Sequence, residues 1–240
     1  MSLLLRYIPS GLLVLLLFLM LRNRAFKVCP WFFAYVAFGV GADGARFAAH
    51  SHPHAYKVIY WSTDAVYCVL GILAMYEVFR AVLSARLWWT HLIFPAIVVA
   101  AILLSLVHAC AVPSQVSSPL LYIVTAEIVV RFVQVLIFFG LAVLGMLFGL
   151  RWRQYPLGIA AGFGLYSTVE LLSTIKYSDF GTRFKFWWDV LPLVAYSVAV
   201  LIWIWFFRVP QKEDPPLDPK LVAHYIAVLD QYLSWMRRMR

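Results

Sequence analysis

Apolar positions in this chain fall in seven long blocks rather than in short alternating runs. The blocks cover about residues 3–21, 31–49, 58–80, 90–111, 120–149, 156–176 and 187–207. Each is close to the roughly 20 residues that a helix needs to cross a hydrocarbon core. Short polar segments separate them. Pro30, Pro119 and Pro156 stand at block starts, where a missing N–H costs nothing, and Pro95 and Pro192 fall inside first turns. The pattern predicts an all-α polytopic membrane protein with seven transmembrane helices. The fifth block is the longest and has to tilt or project past the bilayer. The run from Leu12 to Leu21 leads into Arg22, Asn23 and Arg24 without a small-x-small cleavage site. It therefore reads as the first membrane helix and not as a cleaved signal.

Composition strengthens this picture. Hydrophobic residues make up 64% of the 240 and charged residues only 13%, against roughly 45–50% and 25% in ordinary soluble domains. The blocks leave no room for a separate soluble catalytic domain. The net charge of +9 could suggest nucleic acid, but the basic residues sit in short loops and in the tail, which argues against nucleic acid as a partner. Lys and Arg number thirteen on the loops after blocks one, three and five together with the tail. They number six on the opposite side, and Arg131 lies mid-block. The positive-inside rule then puts the N-terminus outside and the C-terminus in the cytoplasm, in the inner membrane if the source is bacterial. Trp31-Phe32-Phe33, Trp88-Trp89, Trp187-Trp188, Trp203 and Trp205 suit interfacial aromatic belts. Cys29, Cys68 and Cys110 make no CxxC pair and read as small buried residues.

Beyond the bundle (1–208), residues 209–219 form a Pro-rich polar linker. Residues 220–240 regain helical spacing through Val222, Tyr225, Leu229, Leu233 and Met236, and end in Arg237, Arg238 and Arg240. Such a basic amphipathic helix suits anionic lipid on the cytoplasmic leaflet, or a protein partner.

The chain also reads as duplicated. Leu21-Arg22-Asn23-Arg24 matches Leu150-Arg151-Trp152-Arg153, Pro30 matches Pro156, Asp43 matches Glu170, and Arg80 matches Arg208. The offsets stay near 126–129 residues, as an ancestral repeat would leave them. The halves would span about 3–80 and 120–208, joined by a linker helix at about 90–111, with both halves in the same orientation. In helix order this is similar to the 3+1+3 plan of sugar-exporting SWEET transporters and to the plan argued for rhodopsins. No Pro-Gln pair of the PQ-loop kind is present. The seventh block has no central lysine, which excludes a retinal Schiff base there.

Ionisable side chains inside a bilayer are costly and mark function by default. Here they form stripes. Asp43, Arg46 and His50 share a helix face, as do Tyr60, Asp64 and Tyr67; Glu127, Arg131 and Gln134; and Tyr166, Glu170 and Ser173. Asp189 opens the last block, and His108 lies near the outer end of the fourth. Asp43, Arg46, Asp64, Glu127, Arg131, Glu170, Asp189 and His108 are thus candidates for one ligand or ion site in the outer half. The competing reading is structural, with Glu127 paired to Arg131 and Asp43 near Arg46 fixing helix registry. His50, His52 and His54 are metal-ligand candidates, though Pro53 predicts a turn and a solvated loop is the plainer reading. His91 and His108, the histidines on helices, are placed too far apart for bis-histidine haem. No cofactor is indicated, and no nucleophile–base pair, HExxH or phosphate loop argues for an enzyme. Glu77 reads as interfacial, and Gly39, Gly41 and Gly44 as sites of close helix packing. These features together predict transport or binding of a small solute, ion or proton. The alternatives are a receptor module signalling through a partner and an accessory subunit of a larger complex.

Overall fold

The computed structural model describes residues 3–83, 94–100, 102–103, 118–148, 154–180 and 185–210, without the side chains of 3–7, 83, 118–127, 144–148, 174–180 and 185–189. Every regular element among them is helical. In chain order these are α1 (Leu3–Arg22), a 3-10 turn (Ala25–Lys27), α2 (Pro30–Ala48), α3 (Pro53–Leu83), α4 (residues 94–100), α5 (Ser118–Phe148), α6 (Gln154–Phe180) and α7 (Lys185–Phe207). Most boundaries fall within a few residues of the apolar blocks. The largest shift is at α3, which starts at Pro53. A proline in the first turn of a helix is already set at a helical φ, so the connection after α2 is shorter than the histidine-rich loop expected. The tail helix expected at 220–240 lies outside the described residues.

Among the described residues, two helices are long and apolar enough to cross a bilayer. They are α3 over Pro53–Val82, at a mean hydropathy of 1.7, and α7 over Val190–Phe207, at 2.3. The main neighbours form a closed ring: α1 lies beside α2, α2 beside α3, α3 beside α5, α5 beside α6, α6 beside α7, and α7 beside α1. A smaller contact joins α3 to α6 across it.

One end of the ring is filled by aromatic rings. Phe32 of α2 meets Trp203 of α7 edge-on at 5.1 Å, Phe163 of α6 at 5.9 Å, and Phe207 in a stack at 5.5 Å. Tyr155 closes the stack on Phe207 at 4.3 Å. Trp203 is completely buried, so it is a core residue and not a belt residue, whereas Trp205 is exposed on the opposite face. Close approach here depends on α6 glycines. A Cβ at Gly158 would stand 2.6 Å from Phe206, and one at Gly162 would overlap the Trp203 ring. Backbone groups at this end are satisfied by side chains. Asn23 Nδ2 donates to the Phe207 carbonyl at 2.5 Å and Gln154 Nε2 to that of Phe206 at 2.6 Å, covering carbonyls that α7 leaves without intrahelical donors. Glu77 is more than interfacial: its carboxylate accepts from the backbone N–H of Phe32 at 3.1 Å and of Trp31 at 3.5 Å, capping α2 from a neighbouring helix.

Candidate functional site

Towards the opposite end the ring opens around polar side chains. A cavity of about 210 Å³ is lined from α2 by Tyr35, Asp43 and Arg46, and from α3 by Tyr60, Asp64, Tyr67 and Cys68. From α5 it takes Arg131 and Gln134, from α6 Tyr166 and Glu170, and from α7 Tyr196. The helical stripes explain this convergence. Each stripe turns one face of its helix to the ring's interior, and antiparallel neighbours bring the C-terminal half of α2 level with the N-terminal half of α3.

Within the cavity, Arg131 and Glu170 form a cross-helix ion pair, Nε to Oε2 at 2.7 Å, with both side chains mostly buried. The Arg131 guanidinium also lies over the Tyr166 ring at 4.6 Å and reaches Gln134 Oε1 at 3.4 Å. Gln134 is fully buried, and its Oε1 also accepts from the Ser167 hydroxyl. Arg46 does not pair with Asp43. It donates to Thr63 Oγ1 at 2.6 and 3.0 Å and covers the Tyr60 ring at 4.6 Å. Asp43 instead accepts from Ser10 of α1 at 2.5 Å. The pairing of Asp43 with Arg46 that sequence spacing suggested is thus replaced by contacts to α1 and α3.

A second, wider cavity of about 640 Å³ lies alongside, open to the surface between α1, α2 and the start of α3. Ser10, Val14, Val40, Phe47, His50 and Tyr56 are among its walls, and it shares Asp43, Arg46 and Tyr60 with the inner cavity. These three side chains form the partition between the groove and the inner chamber.

Of the sequence candidates, Asp43, Arg46, Asp64, Arg131 and Glu170 are brought together. Glu127 and Asp189 lie on α5 and α7 with side chains outside the described set, and His108 is outside the described residues. His50, His52 and His54 are exposed and do not converge; among the described residues no group of three or more His, Cys, Asp or Glu could hold a metal ion. Tyr35, Ser167 and Tyr196 join the site without having been anticipated. Their only signal was a hydroxyl inside an apolar run. Gly39 does serve close packing, since a Cβ there would meet the Tyr67 hydroxyl at 2.6 Å, but Gly41 and Gly44 face open space. Comparison with protein-family models, curated proteins and solved structures finds no match.

Proposed function

We propose that this chain is a seven-helix integral membrane protein that binds a small polar solute in the outer half of its bundle and carries it across the bilayer. The observation that carries this reading is the polar cavity beside a surface groove, the two sharing Asp43, Arg46 and Tyr60 as a wall. A structural ion-pair network alone has no need of a cavity that size, because buried ions are tolerated best when their neighbours close around them. The aromatic plug of Phe32, Trp203 and Phe207 at the far end supplies the closed side that a carrier needs when its other side is accessible.

The membrane reading draws support from the outer surface. Large apolar side chains such as Val14, Phe18, Phe47, Val69, Phe139, Leu172, Leu201 and Trp205 are exposed all around the ring. A contiguous apolar exterior of this kind is rare on a soluble monomer and suits contact with lipid. The duplication draws support from the order of neighbours. Moving each helix of the first half to its counterpart (α1 to α5, α2 to α6, α3 to α7) maps every neighbour pair of the ring onto another neighbour pair.

Two experiments test the proposal. Single cysteines at Ser51 and Lys27, in the loops on either side of α2, should react with an impermeant maleimide on intact cells only at Ser51→Cys; the reverse pattern would invert the topology. Proteoliposomes should show counterflow of at least one labelled small solute from a panel of cations, anions and neutral molecules, and Glu170→Gln should abolish it. Absence of flux across the whole panel, with folded protein in the vesicles, would overturn the carrier reading.

A further inference from the structure

The wide groove between α1 and α2 has apolar walls, an open side and a charged wall. Val14 of α1 and Val40 and Phe47 of α2 line it, and Val14 and Phe47 are exposed on the exterior that would meet lipid. Gly11 and Gly44 line it as well, and a Cβ added at either meets nothing within 4 Å. Glycine in a membrane helix ordinarily serves close helix approach, as Gly158 and Gly162 do at the aromatic end. Gly11 and Gly44 serve no such contact. Their effect is to keep the groove wide.

The charged wall holds two opposite groups apart. Asp43 and Arg46 are neighbours on one face of α2, yet they do not pair. The Asp43 carboxylate accepts from Ser10 at 2.5 Å, with no cationic side chain on it among the described residues. Arg46 Nε and one Nη donate to Thr63 Oγ1 at 3.0 and 2.6 Å, and that Nη also reaches the Tyr60 carbonyl at 3.4 Å. The other Nη has no acceptor among the described residues. A carboxylate offers acceptors to an ammonium, and a guanidinium offers donors to a phosphate. Both groups line the groove.

On these grounds we infer that the groove binds a single-chain amphiphile with a zwitterionic head, of the phosphate-and-ammonium kind. The chain lies against Val14, Val40 and Phe47 in the space left by Gly11 and Gly44. The phosphate takes the remaining Nη of Arg46, and the ammonium takes Asp43. The inference rests on the membrane reading and stands whether or not the inner cavity carries a solute. Volume agrees with it. The groove holds about 640 Å³, or about twenty units of about 30 Å³, the share of one water molecule in the liquid. A methylene is close to that size, so a head with one chain of roughly a dozen carbons fills the space. The chain gains little by leaving lipid, because lipid tails are as apolar as the groove walls. The head therefore decides which amphiphile is held, and the chain supplies the sideways route from the bilayer. A head of single charge would leave Asp43 or Arg46 unanswered and bring a like charge to it.

The test is photolabelling of the purified full chain in dodecylmaltoside micelles, where the maltoside is a neutral-headed competitor throughout. The probe is dodecylphosphocholine with a diazirine in its chain, and insertion sites are read by peptide mass spectrometry. Label should fall on the groove walls of α1 and α2 and be displaced by unlabelled dodecylphosphocholine. Dodecyltrimethylammonium and dodecyl phosphate should displace it about tenfold less well, the loss expected for one charge-assisted contact. Phosphocholine without a chain should not displace it. Arg46→Met should shift the preference towards the trimethylammonium head, and Asp43→Asn towards the phosphate head. Gly44→Leu should abolish the label at an unchanged unfolding midpoint, and Gly11→Leu blocks the same groove from α1 if the first variant does not fold. Label spread over the whole apolar exterior would show boundary lipid only and overturn the site. Displacement by chain-free phosphocholine would make the ligand a soluble zwitterion. Equal displacement by all three heads would overturn the zwitterionic class. Label retained in a folded Gly44→Leu or Gly11→Leu protein would overturn the groove as its place.

Discussion

The two ends of the ring are built from the same helices and solve opposite problems. At one end α2, α6 and α7 press Phe32, Phe163, Trp203 and Phe207 together with glycines at the contact points, and no space is left. At the other end the same helices, with α3 and α5, hold carboxylates, guanidiniums and phenols around a cavity. Polar walls resist collapse, because each ionised group needs several partners at fixed distances. The aromatic end has no such demand and fills completely. A closed end beside an open polar end lets a cavity of about 210 Å³ stand without the bundle coming apart.

The most damaging way to break this contrast is to remove the centre of the plug. Trp203→Ala should cost about 3–5 kcal/mol of stability, the usual range for deleting a fully buried aromatic, read as a large fall in the unfolding midpoint in detergent. Tyr60→Ala, on the partly exposed wall between the cavities, should cost far less on the same measurement. Equal losses would mean that the polar end is as tightly packed as the plug.

Next in size is the ion pair. Arg131→Met leaves the Glu170 carboxylate without its guanidinium, and breaking a fully buried pair costs about 3–5 kcal/mol. Because both side chains keep some exposure, the expected loss is nearer about 2 kcal/mol, in the range for hydrogen bonds to charged groups. The double variant Arg131→Met with Glu170→Met should recover most of the unfolding midpoint. A double variant as unstable as the single one would show that the pair holds more than its own charges.

Some of this contrast was legible in the sequence and some was not. Helix positions follow from apolar run length, and Asp43, Arg46, Asp64, Arg131 and Glu170 stood out because charge inside an apolar run has few innocent explanations. Partner choice was not legible. Glu170 is remote from Arg131 in the chain, and only packing of α5 on α6 brings the two together. Tyr35 and Tyr196 were missed because a tyrosine in an apolar run reads equally well as belt, core or site. Trp203 was misplaced for the same reason: depth in the bundle depends on which face of α7 turns inward, and Trp205 lies on the other. Glu77 looked interfacial because its partners are backbone N–H groups of another helix, which leave no trace in side-chain patterning.

A smaller effect compares two glycines. Gly162→Ala places a methyl into the Trp203 ring and should cost about 1–3 kcal/mol through overpacking. Gly44→Ala adds a methyl with nothing within 4 Å, and should be neutral or stabilising by up to about 1 kcal/mol from helix propensity. Thermal unfolding of the two variants side by side reads the sign directly. A Gly162→Ala protein as stable as wild type would show that the plug can yield.

The gentlest probe alters no contact. Cys29 sits at the closed end, 2% exposed, while Cys68 lines the cavity. Burial, reinforced by the nearby Glu77 carboxylate, pushes the Cys29 thiol well above its ordinary value of 9.0. The thiolate is the reactive form, so Cys29 should resist a small methanethiosulfonate reagent at pH 8 until the protein unfolds. In a Cys110→Ser background Cys68 should label first. The same shift carries a pH sign. Below the ordinary thiol value both folded and unfolded chains hold the proton and stability is unaffected. Above pH 9 the unfolded thiol ionises while the folded one does not, so stability falls as pH rises. Cys29→Ser should flatten that alkaline slope. Labelling of Cys29 as fast as Cys68 would mean that water reaches the aromatic end as freely as it reaches the cavity, and the plug would then be no barrier between the two ends of the ring.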